Sequence, residues 1–309
     1  MNLAYKVLVF QSELWYCAEV AEVDSCSNGD VLSLLHHKGR VYSSHADGTI
    51  KVWDVAKRKL RLLQEIRLHA KAATCLCVAP SGDILYSGSL DKTIRVWEIS
   101  SEEIRSLEVH EVKESVYALT ANSDVACFAS HVTGFKIYNW SGVPRHVNMS
   151  KHVRSIAIVG DKVYCGCNGY AIQEVDLLSF TVSTFYSGSR KLLGKQNINA
   201  LYIHEGRLYA GGTSIDGVAG RVFSLSNRAL TGSFSTHTDI QQVSINNDYI
   251  FTSTKCGIIE VWLKERASKV ASIKVGGGNA KITAMVADGH GEMLYAGSSD
   301  GKIQAWALD

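Results

Sequence analysis

The feature that most constrains this chain is a short stretch that returns along it. Residues 84 to 99 read Ile-Leu-Tyr-Ser-Gly-Ser-Leu-Asp-Lys-Thr-Ile-Arg-Val-Trp-Glu-Ile. Two apolar, β-branched and aromatic runs with near period-two alternation flank a polar turn at Leu90 to Thr93, which is the pattern of a tight antiparallel hairpin. Val41 to Asp54 and Leu294 to Trp306 repeat the stretch closely, and weaker copies end at Tyr138, Val175, Phe223 and Trp262. Aligned on Trp97, the column Trp53, Trp97, Tyr138, Val175, Phe223, Trp262 and Trp306 has spacings of 44, 41, 37, 48, 39 and 44. Seven units at that period are expected of four-stranded blades, which bury their faces only against neighbouring blades. The repeat therefore overrides the two domains that 309 residues would otherwise suggest.

The expected fold is all-β, a seven-bladed β-propeller with blades at about 31–66, 73–109, 115–149, 153–185, 198–234, 240–273 and 282–309. The chain stops three residues after Trp306, so the last blade lacks an outer strand of its own. Residues 1–30 supply it: Leu14 to Val20 is predicted to pair into the last blade and close the ring, removing two open edges. Tyr5 to Phe10 has no assigned role. Within blade four, Asn168-Gly169 is the strongest two-residue turn signal in the chain. Blade five carries the longest interval, from the polar segment Ser187 to Gln196 and the glycine-rich Gly211 to Gly220, both read as surface loops.

A net charge of +2 and a pI of about 8.1 are too balanced to point to nucleic acid or to a membrane surface. No run of 18 apolar residues is long enough to span a bilayer, and the opening segment lacks the continuous core of a signal peptide. The eight cysteines are too few for a disulfide scaffold. Cys75 and Cys77, like Cys165 and Cys167, alternate within strand runs and read as small buried thiols. Reduced thiols without an export signal place the chain in the cytoplasm, with the nucleus as the alternative, and make the sequons at Asn139 and Asn148 incidental. The basic Lys57-Arg58-Lys59 reads as a solvated hairpin turn.

Chemistry is sparse. Gly188 to Lys195 resembles a phosphate-binding loop but has five residues between its glycines and Gln196 in place of the hydroxyl residue. Gly276 to Asn279 has no helix behind it. No metal set has zinc spacing, and no nucleophile, base and orienting residue can be assembled outside the repeat, so the chain is expected to be no enzyme and to hold no cofactor and no metal. What remains is a ring of loops on one face. Its candidate residues are Lys71, Leu90, His131, Arg154, Lys255, Lys281 and Ser299, of which Lys71, His131, Arg154, Lys255 and Lys281 would make the face basic and suited to a protein or peptide partner that is acidic or phosphorylated.

The stretch Asp91 to Trp97 resembles the signature of WD repeats. In that family a loop His, a strand Ser or Thr, a turn Asp and the Trp indole form a buried tetrad, which implies His69, Ser87, Asp91 and Trp97 in blade two. Partial sets are Ser43, Asp47 and Trp53 in blade one, His237, Thr252 and Trp262 in blade six, and Asp300 and Trp306 in blade seven. Blade three has Val132 and Tyr138 in place of the Asp and Trp. More specifically, Ser89-Leu-Asp-Lys-Thr-Ile-Arg-Val-Trp97, Lys162-Val-Tyr-Cys-Gly-Cys167, Ile172-Gln-Glu-Val175, Ile198-Asn-Ala-Leu201, Leu208-Tyr209, Ile259-Glu-Val-Trp262 and Gly301-Lys-Ile-Gln-Ala-Trp306 resemble the C-terminal propeller of the plant CERBERUS (LIN) type U-box/WD-repeat ubiquitin ligases. The resemblance implies a non-catalytic module that recruits a substrate or partner while a separate U-box engages the conjugating enzyme. No U-box fits in the 30 residues before the repeats, so the chain is expected to be a fragment, a short isoform or a derived propeller, monomeric within a larger complex. A scaffold for signalling or trafficking complexes is the alternative, and a propeller enzyme the third reading.

Overall fold

In the computed structural model, the described residues are 6–8, 15–24, 26–100, 103–130, 134–140, 145–188, 196–275, 280–289 and 293–308. The fold is all-β, built of seven antiparallel sheets of the propeller class, and no described residue lies in an α-helix. The chain divides into two compact units, residues 1–73 with 241–309, and residues 74–240.

In the first unit β1 (Lys6–Leu8) and β2 (Trp15–Asp24) precede a sheet of β3 (Val31–His37), β4 (Arg40–His45), β5 (Thr49–Asp54) and β6 (Arg61–Arg67). The second unit holds four sheets. The first is β7 (Ala73–Val78), β8 (Ile84–Ser89), β9 (Thr93–Glu98) and β10 (Arg105–Glu111); the next is β11 (Ala118–Ala121), β12 (Val125–Ala129), β13 (Phe135–Asn139) and β14 (Arg145–Val147). Then come β15 (Val153–Val159), β16 (Lys162–Cys167), β17 (Ala171–Asp176) and β18 (Val182–Ser187), followed by β19 (Ile198–His204), β20 (Arg207–Ile215), β21 (Val218–Ser224) and β22 (Leu230–Phe234). The chain returns to the first unit with β23 (Ile240–Ile245), β24 (Tyr249–Thr254), β25 (Ile258–Leu263) and β26 (Ser268–Lys274), and ends with β27 (Ile282–Ala287), β28 (Met293–Ser298) and β29 (Lys302–Leu308).

The last sheet is completed by the start of the chain, in the order β1, β2, β29, β28, β27. The closing strand is longer than the expected Leu14 to Val20: it runs to Asp24 and pairs Cys17 with Leu308 through Asp24 with Lys302. Its second half contains Glu22, which an apolar-run criterion excludes. Glu22 nevertheless fixes the register, accepting from Lys302 Nζ at 2.9 Å and from Gln304 Nε2 at 2.9 Å. Lys6 to Leu8, within the stretch that had no assigned role, adds a fifth strand against Trp15 to Cys17.

Two loop expectations change. The glycine-rich stretch of blade five is strand on both sides, closed by Asp216 and Gly217 at φ 53° and 77°. Two left-handed residues in succession are what a two-residue hairpin turn with the native strand twist requires. At Asn168-Gly169 the turn is three residues long, and its left-handed positions are Gly169 (φ 74°) and Tyr170 (φ 52°) rather than Asn168. The segment 189–195 lies outside the described residues, as does 276–279.

Packing between neighbouring sheets depends on missing side chains. A Cβ on Gly88 would stand 2.5 Å from Val116 Cγ1 and 2.8 Å from Cys75 Sγ, and Gly166 and Gly297 are similarly closed by Ile198 and Val31. Glycine near the end of the second strand thus makes room for the first apolar residue of the next sheet. Val31, Val116 and Ile198 are fully or almost fully buried as a result. The outer strands β2, β6, β10, β22 and β26 each shift register by one residue beside the aromatic column. Such bulges twist an edge strand and make it a poor template for another chain.

Candidate functional site

The chemistry that holds the loops begins at the buried indoles. Trp53 Nε1 donates to Ser43 Oγ at 2.9 Å, Trp97 Nε1 to Ser87 Oγ at 2.8 Å, and Trp262 Nε1 to Thr252 Oγ1 at 2.9 Å. The turn carboxylates act locally. Asp47 accepts from the Thr49 amide and hydroxyl, both at 2.9 Å; Asp91 accepts from those of Thr93 at 3.0 and 2.6 Å; Asp300 accepts from the Ser298 hydroxyl and the Lys302 amide. Burial works against the Asp47 carboxylate, yet the bonds from Thr49 and Asn28 with nearby Arg67 hold its pKa below the usual range. Trp306 instead packs in an apolar cluster with Ala296.

His237, Asn28 and His45 sit where sequence reasoning did not place them. His69 is buried in the first unit with its carbonyl against Gly48. His237, expected beside Thr252 and Trp262, is exposed with its ring next to Gly217, because the longer β20–β21 hairpin reaches over the segment that carries it. In the first sheet the loop role falls to Asn28, whose Nδ2 reaches Asp47 at 3.1 Å, Thr49 at 3.3 Å and Glu65 at 3.2 Å. The imidazole comes from the strand itself: His45 Nε2 lies 2.9 Å from Ser43 Oγ. The signal was present, since Asn28 precedes Val31 by about the offset of His69 from Ala73, and His45 alternates with Ser43. In the third sheet His110 Nδ1 meets the Tyr138 hydroxyl at 3.2 Å, so the phenol takes over part of the lost network.

Turns between second and third strands are gripped by segments leading into an inner strand, that of the same sheet or of the next. Ser299 and Lys281 bond reciprocally, the Ser299 amide to the Lys281 carbonyl at 2.9 Å and the Lys281 amide to Ser299 Oγ at 3.0 Å. A Cβ on Gly257, in the turn that carries Lys255, would stand 3.0 Å from the Ala280 carbonyl oxygen. Lys255, Lys281 and Ser299 are therefore brought together in the first unit, with both lysines exposed. Lys71 is exposed beside the turn at Gly48. In the second unit the carbonyl of Leu90 accepts from Ser115 Oγ at 3.2 Å, and Arg154 is exposed on β15. His131 lies outside the described residues.

Fixed turns bearing lysine ammonium groups can bind oxyanions of a partner. Among the described residues no three His, Cys, Asp or Glu side chains are placed to hold a metal ion. Burial pushes the thiols of Cys127 and Cys167 up to about 12 and that of Cys165 well above its ordinary value, which leaves them unreactive.

The family profile described as "WD domain, G-beta repeat" matches residues 19–54 and 60–98. The chain carries WD repeats. The first matched WD repeat begins inside β2 and ends with β5, and the second begins at the edge of β6 and ends with β9. Each WD repeat thus takes its first strand from one sheet and the next three from the following sheet, which is why β2 lies with β29 in space. Over 298 residues the WD-repeat chain is 56% and 54% identical to the Lotus japonicus proteins named "Putative E3 ubiquitin-protein ligase" LIN-1 and LIN-2, and 55% identical to LIN of Medicago truncatula. Each match covers 96% of this chain and 20% of the relative, so the chain spans about a fifth of their length. No helix among the described residues is long and apolar enough to cross a membrane.

Proposed function

We propose that this WD-repeat chain is a non-catalytic recognition module of a ubiquitin-ligase system, and that it holds an acidic or phosphorylated segment of a protein partner. Its likeness to the LIN proteins supports the ubiquitin setting. The observation that carries the recognition reading is the corner where Lys281 and Ser299 bond reciprocally with Lys255 on the adjoining turn. Cationic side chains on braced turns lose little freedom when a partner docks, so less of the attraction is spent on ordering. The test is affinity capture from plant extract with the wild-type chain and with K255E/K281E, read by quantitative mass spectrometry. Recovery of ubiquitin-conjugation components, reduced severalfold by the double reversal, is expected. Coat or signalling subunits in their place, unaffected by the reversal, would overturn the reading.

A further inference from the structure

The second residue of an inner strand has a recurrent use in this fold. The ladder skips it in β3, β15, β19 and β27, where register jumps from Val31 to Ser33, Val153 to Ser155, Ile198 to Ala200 and Ile282 to Ala284. A bulged residue turns its side chain out of the ladder. Where that residue is short and polar, it closes backbone carbonyls. Thr74 Oγ1 reaches the Gly88 carbonyl at 3.0 Å and the Val116 carbonyl at 2.6 Å, and Asn199 Nδ2 reaches the Ile240 carbonyl at 2.9 Å. In the first unit Thr283 Oγ1 reaches the Gly297 carbonyl at 3.2 Å.

In two successive sheets of the second unit the residue is larger. The equivalent positions there carry Tyr117, which is 40% exposed, and Arg154, which is exposed. Arg154 has no hydrogen bond or ion pair among the described residues. The strands on or beside which they lie, β11 and β15, are in contact. Thr74 spans the step from β7 to the residue before Tyr117. The same step brings position 117 to the start of β15, where Ala118 already packs against the cluster that holds Val153. The stretch from 145 to 159 is basic, with Arg145, His146, Lys151, His152 and Arg154 and no Asp or Glu, while Glu114, three residues before Tyr117, is paired with Lys136 at 2.9 Å.

We propose that Tyr117 and Arg154 together read one anionic side chain, a carboxylate or a phosphate, with an apolar residue beside it, in a protein segment docked on the second unit. The inference rests on the recognition function proposed above. A guanidinium is weakly hydrated and presents a planar fork that matches either oxyanion with two parallel bonds, which a lysine at this position does not. A phenol beside it supplies a large contact area with few rotatable bonds. These features suit a hot spot better than a solvated surface, where an arginine would normally find a carboxylate.

The test uses the full chain and immobilised peptide pools of random sequence with a fixed central Glu, phosphoserine, Gln or Lys. The wild-type chain is expected to prefer the Glu or phosphoserine pools, and the stronger of the two identifies the source of the oxyanion. R154A should reduce that preference on the order of tenfold, which corresponds to about 1.4 kcal/mol. R154K should retain only a minor part of it, and Y117A should weaken binding with apolar neighbours most. An anion preference that survives R154A but not K255E/K281E would overturn this inference and leave the recognition function standing. So would binding that ignores charge. Failure to bind any pool would count against both. Because both side chains are exposed, melting temperatures within a degree or two of wild type are expected and keep the comparison a binding result.

Discussion

A tryptophan packed into a strand brings one N–H that must find an acceptor, and the way each sheet supplies it determines how pH acts on the fold. In the first sheet the acceptor is Ser43, and the hydroxyl's second partner is His45, a fully buried imidazole. Burial first, and then the nearby Lys51 ammonium, push the His45 pKa down to about 4 from an ordinary value of 6.5. The folded chain therefore keeps this group neutral while the unfolded chain takes up a proton. Its contribution is fully present above pH 6.5 and is lost as pH falls toward 4, by about 3 kcal/mol over the whole window. Denaturant unfolding at pH 7.5 and at pH 4.5 should show this loss, and H45Q should lower stability at pH 7.5 while flattening the slope between them. An unchanged slope would show that His45 is not the titrating group. The Trp and hydroxyl columns were legible in the sequence because they recur at one offset. The source of the imidazole was not, because a histidine can meet the same hydroxyl from the preceding loop or from two residues along the strand.

At the scale of the element, steric closure outweighs charge. The closing strand is registered by Glu22 against Lys302 and Gln304, but Glu22 and Lys302 are both about one-third exposed, and pairs of that kind contribute up to about 1 kcal/mol. Gly88 has no such latitude, since any Cβ meets Val116 and Cys75 within 2.8 Å. Overpacking at a closed site costs about 1–3 kcal/mol. G88A should therefore lower the unfolding free energy by more than E22A does, measured by denaturant titration with the Trp fluorescence as probe; the reverse order would mean that the β8–β11 contact gives way easily. The number of sheets was readable from the period of the aromatic column. The full length of β2 was hidden because its half nearest β3 alternates Ala21 and Val23 with charged residues, which reads as solvated until the partner strand is known. The blade-five ribbon was hidden for a related reason: Gly211, Gly212, Gly217 and Gly220 look like a loop by composition, whereas only Gly217 occupies the turn.

For the molecule as a whole, the sequence groups the candidate residues by column but cannot say how each is used. Lys281 and Ser299 meet through backbone and hydroxyl bonds, and Arg154 stands out only once Thr74, Asn199 and Thr283 are seen closing carbonyls from the equivalent position. The cysteines offer a direct measure of how tightly the chain is closed. Cys26 and Cys256 are exposed in the first unit, and Cys127, Cys165 and Cys167 are fully buried in the second. Reaction with a maleimide needs both access and thiolate, and the buried group lacks both, since burial raises these thiols far above neutral pH. Their modification must wait for the second unit to open, so its rate reports the opening free energy rather than thiol chemistry. In a C17S background at pH 7.5, Cys26 and Cys256 should react within minutes, while Cys127, Cys165 and Cys167 should react together and no faster than the unfolding rate extrapolated from denaturant. Rapid reaction at Cys127 alone, read by peptide mass mapping, would show that the sheet of β11 to β14 opens by itself, as its missing tetrad and short β14 would then explain.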